Sequence, residues 1–226
     1  MGKYISVAID GPAGAGKSTM AKRVAKELGY LYVDTGAIYR TVGYHMWLMG
    51  IGPKDADGIR RCLDDVNIEI RHEEDGVQHM ILNGQDVTGE IRTPEMSRYA
   101  SGVSAQKCVR EYLLDMQRKF SRKHNVVMDG RDIGTVVFPH AELKVFVTAS
   151  AEVRARRRYD ELLGKGQEAS YDEILRNVQE RDYIDSHRAV APLRQADDAL
   201  LLDNSDLTRE EQSRWLLERA REAMAE

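Results

Sequence analysis

An α/β fold, with a parallel sheet covered by helices on both faces, is what this sequence predicts. Short apolar, β-branched runs at Tyr4–Ile9, Leu31–Val33, Val126–Met128, Leu143–Val147 and Ala199–Leu202 alternate with helical stretches. Strands without polar alternation are buried on both faces, as parallel strands are. One segment, 66–87, has antiparallel character instead and reads as an insertion. The 226 residues suit one compact domain, 1–226, carrying such an insertion.

Taken in order, Tyr4–Ile9 is a buried strand followed by a glycine-rich turn. Ser18–Leu28 has helical spacing, closed by Gly29. After Leu31–Val33, Asp34-Thr35 caps a helix from Ala37 to Met49, which Gly50 ends. Val66–Ile70 alternates apolar with polar, Asp75-Gly76 signals a turn, and Val77–Leu82 is a second strand. Asn83-Gly84 is a hairpin dipeptide before Gln85–Val87. Helices follow from Thr93-Pro94-Glu95 and near Val109–Lys123. An arginine-rich helix begins at Ser150 and frays at Gly164-Lys165-Gly166. Ser170-x-x-Glu173 and Thr208-x-x-Glu211 read as capping boxes for the last two helices.

Apolar residues make up 42% and charged residues 31%, and the net charge is −4 from 33 basic and 37 acidic residues. That balance lacks the basic excess of a nucleic-acid binder. Cys62 and Cys108 form no CxxC pair and read as reduced thiols, an expectation for the cytoplasm. No run approaches the ~20 apolar residues that span a bilayer, and no signal-peptide pattern stands out. Met1-Gly2 with Ser6 fits a myristoylation pattern, but residues 4–9 read as a buried strand, so the match is attributed to chance.

Gly11-Pro12-Ala13-Gly14-Ala15-Gly16-Lys17-Ser18 fits G-x-x-x-x-G-K-[ST] in full, between a strand and a helix. Glycines let backbone N–H groups converge on phosphate oxygens, and the helix start presents its positive end to the same anion. Lys17 reaches the β- and γ-phosphates of ATP, and the Ser18 hydroxyl ligates Mg²⁺. The nucleotide-binding set is residues 11–18 with Thr19. A second carboxylate is expected near the metal, at the end of an apolar strand. Asp129 provides it, directly or through water, and Asp10 is the alternative. No Asn-Lys-x-Asp motif reads guanine, so the pattern favours a small-molecule kinase with a second phosphate site and a cationic lid.

Five blocks carry a closer resemblance: GPAGAGKS (11–18), DTGAIYR (34–40), GEIRTPE (89–95), DGRDIGTVVFP (129–139) and ERDYIDSHRAVAPL (180–193). In that order they resemble the bacterial cytidylate kinases over essentially the whole chain. The resemblance implies a P-loop kinase fold with a monophosphate-binding region over 36–105, a small antiparallel sheet near 66–87, and a lid over 152–168. It implies direct in-line transfer of the γ-phosphoryl group from ATP to CMP or dCMP with Mg²⁺, by a monomer.

By the same resemblance, Thr35, Arg40, Arg131, Arg181 and Arg188 surround the acceptor phosphate and sugar. Ser101, Arg110 and Asp132 read the cytosine, Asp185 reads the sugar hydroxyl, and Asp129 lies in the acceptor set. Lys17, Arg131, Arg157 and Arg188 are the catalytic cations. At least one of Arg154, Arg157 and Arg158 is expected on the donor phosphates. A carboxylate at Asp132 suits the N4 amino donor of cytosine and opposes the oxygen that uracil places there. Read from spacing alone, Arg181, Asp185 and Arg188 share a helix face, and Ser101 and Arg110 look like ordinary helix-surface residues.

Overall fold

The computed structural model describes residues 4–72 and 77–225. Its five-stranded sheet runs in the order β2 (Leu31–Asp34), β6 (Val126–Gly130), β1 (Ser6–Asp10), β7 (Leu143–Thr148), β8 (Leu200–Asp203). β1 is central and parallel to β6 and β7, pairing Ile9 with Asp129 and with Val145. β8 runs parallel to β7. The remaining strands are β3 (Ile68–His72), β4 (Gln78–Leu82) and β5 (Gln85–Asp86), an antiparallel meander. The expected Asp75-Gly76 turn lies outside the described residues. Asn83 and Gly84 both take positive φ, 49° and 86°, as an Asn-Gly hairpin requires.

The chain divides into two compact units, Met1–Tyr32 with Ser121–Glu226, and Val33–Phe120. In the first, every residue of β1 and β6 is buried. Val7, Ile9, Val127, Val145 and Val147 share a face of the sheet. Met20, Val24, Leu216 and Ala220 cover it, from α1 (Lys17–Leu28) and α8 (Arg209–Ala225). Gly29 closes α1 in the left-handed region at φ 68°, and Tyr30 N–H reaches back to Ala25 O at 2.8 Å, a Schellman ending. The Thr208–Glu211 box is reciprocal: Glu211 N–H donates to the threonine hydroxyl while Thr208 N–H donates to the glutamate.

In the second unit, α2 (Thr35–Leu48) starts two residues earlier than the spacing suggested, because Asp34 accepts Ala37 N–H at 2.9 Å. Gly50 follows it at φ 69°. α3 (Ala56–Cys62), α4 (Pro94–Ser104) and α5 (Lys107–Ser121) follow before β6, with short 3₁₀ turns at Leu63–Asp65 and Glu90–Arg92. The two thiols are free and half-buried. α6 (Ala151–Gly164) and α7 (Tyr171–His187) pack together in the first unit. Among the described residues, no helix is long and apolar enough to cross a membrane.

Candidate active site

In an open parallel sheet, ligands gather beyond the carboxyl ends of the strands. Here β1 ends at Asp10 and leads into Gly11–Ser18, β6 ends at Asp129-Gly130, and β8 leads into Asn204. The loop after β1 needs glycine for two different reasons. Gly11 has φ 148° and a Cβ there would stand 2.0 Å from Val147 O. Gly16 is the left-handed N-cap of α1, at φ 84°.

Lys17 lies buried behind this loop with its Nζ donating to Pro12 O at 2.7 Å. Burial pushes its pKa down to about 7, Arg131 adds to the effect, and Asp129, Asp10 and Asp185 oppose it. Ser18 Oγ donates to Asp129 Oδ2 at 2.8 Å, and Tyr32 hydroxyl donates to Asp129 Oδ1 at 2.7 Å. Asp129 is thus oriented from both oxygens, beside the serine expected at a metal.

Asp10, the alternative carboxylate, is occupied elsewhere. Its two oxygens accept the N–H groups of Ile133 and Gly134, each at 2.7 Å. Burial pushes its pKa up to about 6, against those two hydrogen bonds. This anchors a π-helical turn, Ile133–Val137, which follows Arg131 and Asp132 and which no spacing in the sequence announces.

Arg131, Asp132, Asp185 and Arg188 form a cluster of alternating charge. Arg131 Nε donates to Asp185 Oδ2 at 2.8 Å. Arg188 stands 3.6 Å from Asp132 and 3.8 Å from Asp185. Burial works against the Asp185 carboxylate, yet Arg131, Arg188 and Arg181 outweigh it and hold its pKa below the usual range. The shared helix face expected for 181, 185 and 188 is corrected here. α7 stops at His187, and Arg188 is extended at φ −63°, ψ 143°. Its Nε donates to the carbonyl of Ala191, a residue in the left-handed region at φ 50°.

A cavity of about 700 Å³ beside the loop is lined by Gly14, Lys17, Ser18, Arg154, Arg157 and Arg158, among others. The three arginines differ in role. Arg154 is buried, donates to Ala13 O at 3.1 Å, and forms a two-armed bridge to Asp182 at 2.9 and 2.5 Å. Arg157 donates to Asn204 Oδ1 at 3.0 Å and to Asn204 O at 2.7 Å. Arg158 pairs with Glu161 at 2.8 Å. Asn204 is fully buried and also donates to Ala15 O at 2.7 Å. No motif pointed to that bracing role of Asn204, nor to Tyr32 or the Arg154–Asp182 bridge.

In the unit Val33–Phe120, Thr35 and Arg40 lie on α2, Ser101 on α4 and Arg110 on α5. Ser101 and Arg110 are not the surface residues that their spacing suggested: they are 8% and 6% exposed. Arg110 donates to Ser104 O at 3.0 Å and lies over the Tyr39 ring, 5.1 Å from its centroid. Arg40 donates to Asp34 at 3.1 Å.

The cytidylate kinase family model matches residues 7–222. The chain belongs to the cytidylate kinase family. It is 51% identical over 219 residues to the cytidylate kinase of Bacteroides fragilis, covering 95% of this chain and 96% of that one. It is 52% identical over 212 residues to the cytidylate kinase of Carboxydothermus hydrogenoformans, covering 94% and 95%. Likeness of fold alone extends further. An uncharacterized protein from Eubacterium ventriosum superposes with a TM-score of 0.52 at 11% identity, over 97% of this chain and 99% of that one. As a cytidylate kinase family member, the chain places its loop, its charge cluster and Asn204 at carboxyl ends of its sheet.

Proposed function

We propose that this chain transfers the γ-phosphoryl group of ATP to CMP or dCMP, giving ADP and CDP or dCDP. One observation carries the reading beyond family membership. A complete phosphate loop is tied to the end of β6, Ser18 Oγ donating to Asp129 at 2.8 Å, and two residues further on Arg131 donates to Asp185 at 2.8 Å.

The acceptor needs no general base. A phosphate monoester loses its second proton near pH 6, so its attacking oxygen is largely ionised at pH 7. What remains is positioning and charge stabilisation. Residues 11–19 hold the donor phosphates, with Lys17 on the β- and γ-groups. Arg131, Arg188 and Arg157 supply positive charge where it develops, and Arg181 and Asp185 hold the acceptor's phosphate and sugar. Asp132, Arg110 and Ser101 contact the cytosine, and Thr35 and Arg40 the acceptor phosphate.

Ser18 Oγ and Asp129 Oδ2, 2.8 Å apart, are hard oxygen donors that suit Mg²⁺, and they are the proposed protein side of its site. Held there, the ion would neutralise negative charge on the donor phosphates. Among the described residues no three His, Cys, Asp or Glu group as a metal cage. Magnesium carried on a nucleotide keeps waters and needs none. The working species is proposed to be a cytoplasmic monomer.

ADP release with Mg·ATP against CMP, dCMP, UMP, AMP and dTMP tests the proposal. Turnover concentrated on CMP and dCMP is expected. Preference for another acceptor would discard the roles of Asp132 and Arg110, and no turnover with any would discard the transfer itself.

A further inference from the structure

The antiparallel insertion does more than decorate the second unit: it delivers one side chain to the start of α2. Gln78, the first residue of β4, is 3% exposed. Its Oε1 accepts Asp34 N–H at 2.8 Å, and its Nε2 donates to Asp34 O at 3.2 Å. A carboxamide thus meets both backbone groups of one residue, as a neighbouring strand would. The partners also fix which end is oxygen. Nε2 has a further neighbour, Met80 Sδ, at 3.1 Å.

Asp34 is no passive recipient. Its Oδ1 caps α2 through Ala37 N–H, and its Oδ2 accepts from Arg40 at 3.1 Å. The space is tight: a Cβ on Gly36 would lie 3.0 Å from Asp34 Oδ1 and 3.1 Å from Arg40 Nη1. A small turn of the Asp34 peptide would therefore shift the cap, the guanidinium and buried Thr35 together.

We infer that Gln78 is a positioning residue for the acceptor phosphate, acting through Asp34 to set Arg40 and Thr35. The inference rests on the proposed acceptor role of those two residues. It gives the meander a task in catalysis distinct from packing.

Gln78→Met keeps length and volume and removes both hydrogen bonds. The KM for CMP is expected to rise by about tenfold, the worth of one hydrogen bond, with the KM for ATP unchanged. Gln78→Glu adds a second readout. Its protonated carboxyl can again accept from Asp34 N–H and donate to Asp34 O. The variant's KM for CMP, relative to the parent at each pH, is expected to fall as pH drops from 8 to 6. Equal changes in both KM values, no change in either, or failure of both variants to fold would assign Gln78 to the fold alone and overturn the inference. Arg40→Ala separates the two layers. If it leaves the KM for CMP unchanged, the acceptor reading fails. If it raises that KM and Gln78→Met does not, only the Gln78 inference fails.

Discussion

Arg131 and Asp185 meet at 2.8 Å across 54 residues of chain, one from the end of β6 and one from α7. Asp185 is almost wholly buried, with Arg188 and Arg181 also acting on it. Removing it leaves cations facing one another with little water. Asp185→Ala is expected to lower stability by about 3–5 kcal/mol, the range for breaking a buried pair from one side. kcat/KM for CMP should fall by about 10²-fold as Arg131 loses its alignment. Urea unfolding and steady-state kinetics check the two effects separately. The pair's contribution holds above the ordinary carboxylate range. It is lost only as pH falls through the depressed pKa of Asp185, so no loss is expected between pH 5 and 8.

Lys17 makes a prediction about protons. With its pKa near 7, the Lys17 side chain of the unliganded protein is mostly the neutral amine at pH 8, and a bound polyphosphate favours the charged ammonium. ATP binding at pH 8 is therefore expected to take up a proton, and at pH 6 to take up almost none. Calorimetry in buffers of different ionisation enthalpy reads this directly. In the ligand-free protein the sign for stability is also set: a lowered lysine pKa costs most below pH 7, and the cost fades as pH rises towards 10.5. Lys17→Ala should abolish turnover while the chain stays folded.

Asp10 gives the opposite slope. Its folded pKa of about 6 exceeds the ordinary 3.8, so its contribution favours the fold at low pH and is lost as pH rises through 6. Asp10→Asn removes that slope. Relative to the parent, the variant should gain about 2 kcal/mol between pH 4 and pH 7. Its amide can accept only one of the two N–H groups now held, so the turn at Ile133–Gly134 should loosen and the KM for CMP should rise. Denaturant melts at both pH values check the first expectation, and kinetics the second.

Two glycines of one motif should respond differently. Gly11→Ala drives a Cβ into the Val147 carbonyl, and neither backbone can yield. Loss of more than about 4 kcal/mol, or no folded protein, is expected. Gly14→Ala meets nothing nearer than Arg154 Cβ at 3.5 Å and carries only the left-handed cost, about 1–2 kcal/mol. Thermal melts of both variants distinguish clash from strain.

Local chemistry was written plainly in the chain. The G-x-x-x-x-G-K-S spacing, the Asn83-Gly84 hairpin and the Thr208–Glu211 box depend on neighbours within a few residues, although the clash that makes Gly11 obligatory comes from Val147, far along the chain. Five ordered sequence blocks likewise pointed to the family that the whole-chain match established. Tertiary structure decided the rest, because hydrogen bonds and burial join residues that no spacing links. Asp10 could as well have faced a metal as a backbone turn until β1 and β6 were paired. Ser101 and Arg110 lie on helices whose buried faces depend on what packs against them. Asn204, Tyr32 and Gln78 are ordinary residues in sequence. They matter here because each closes on a group 44 or more positions away.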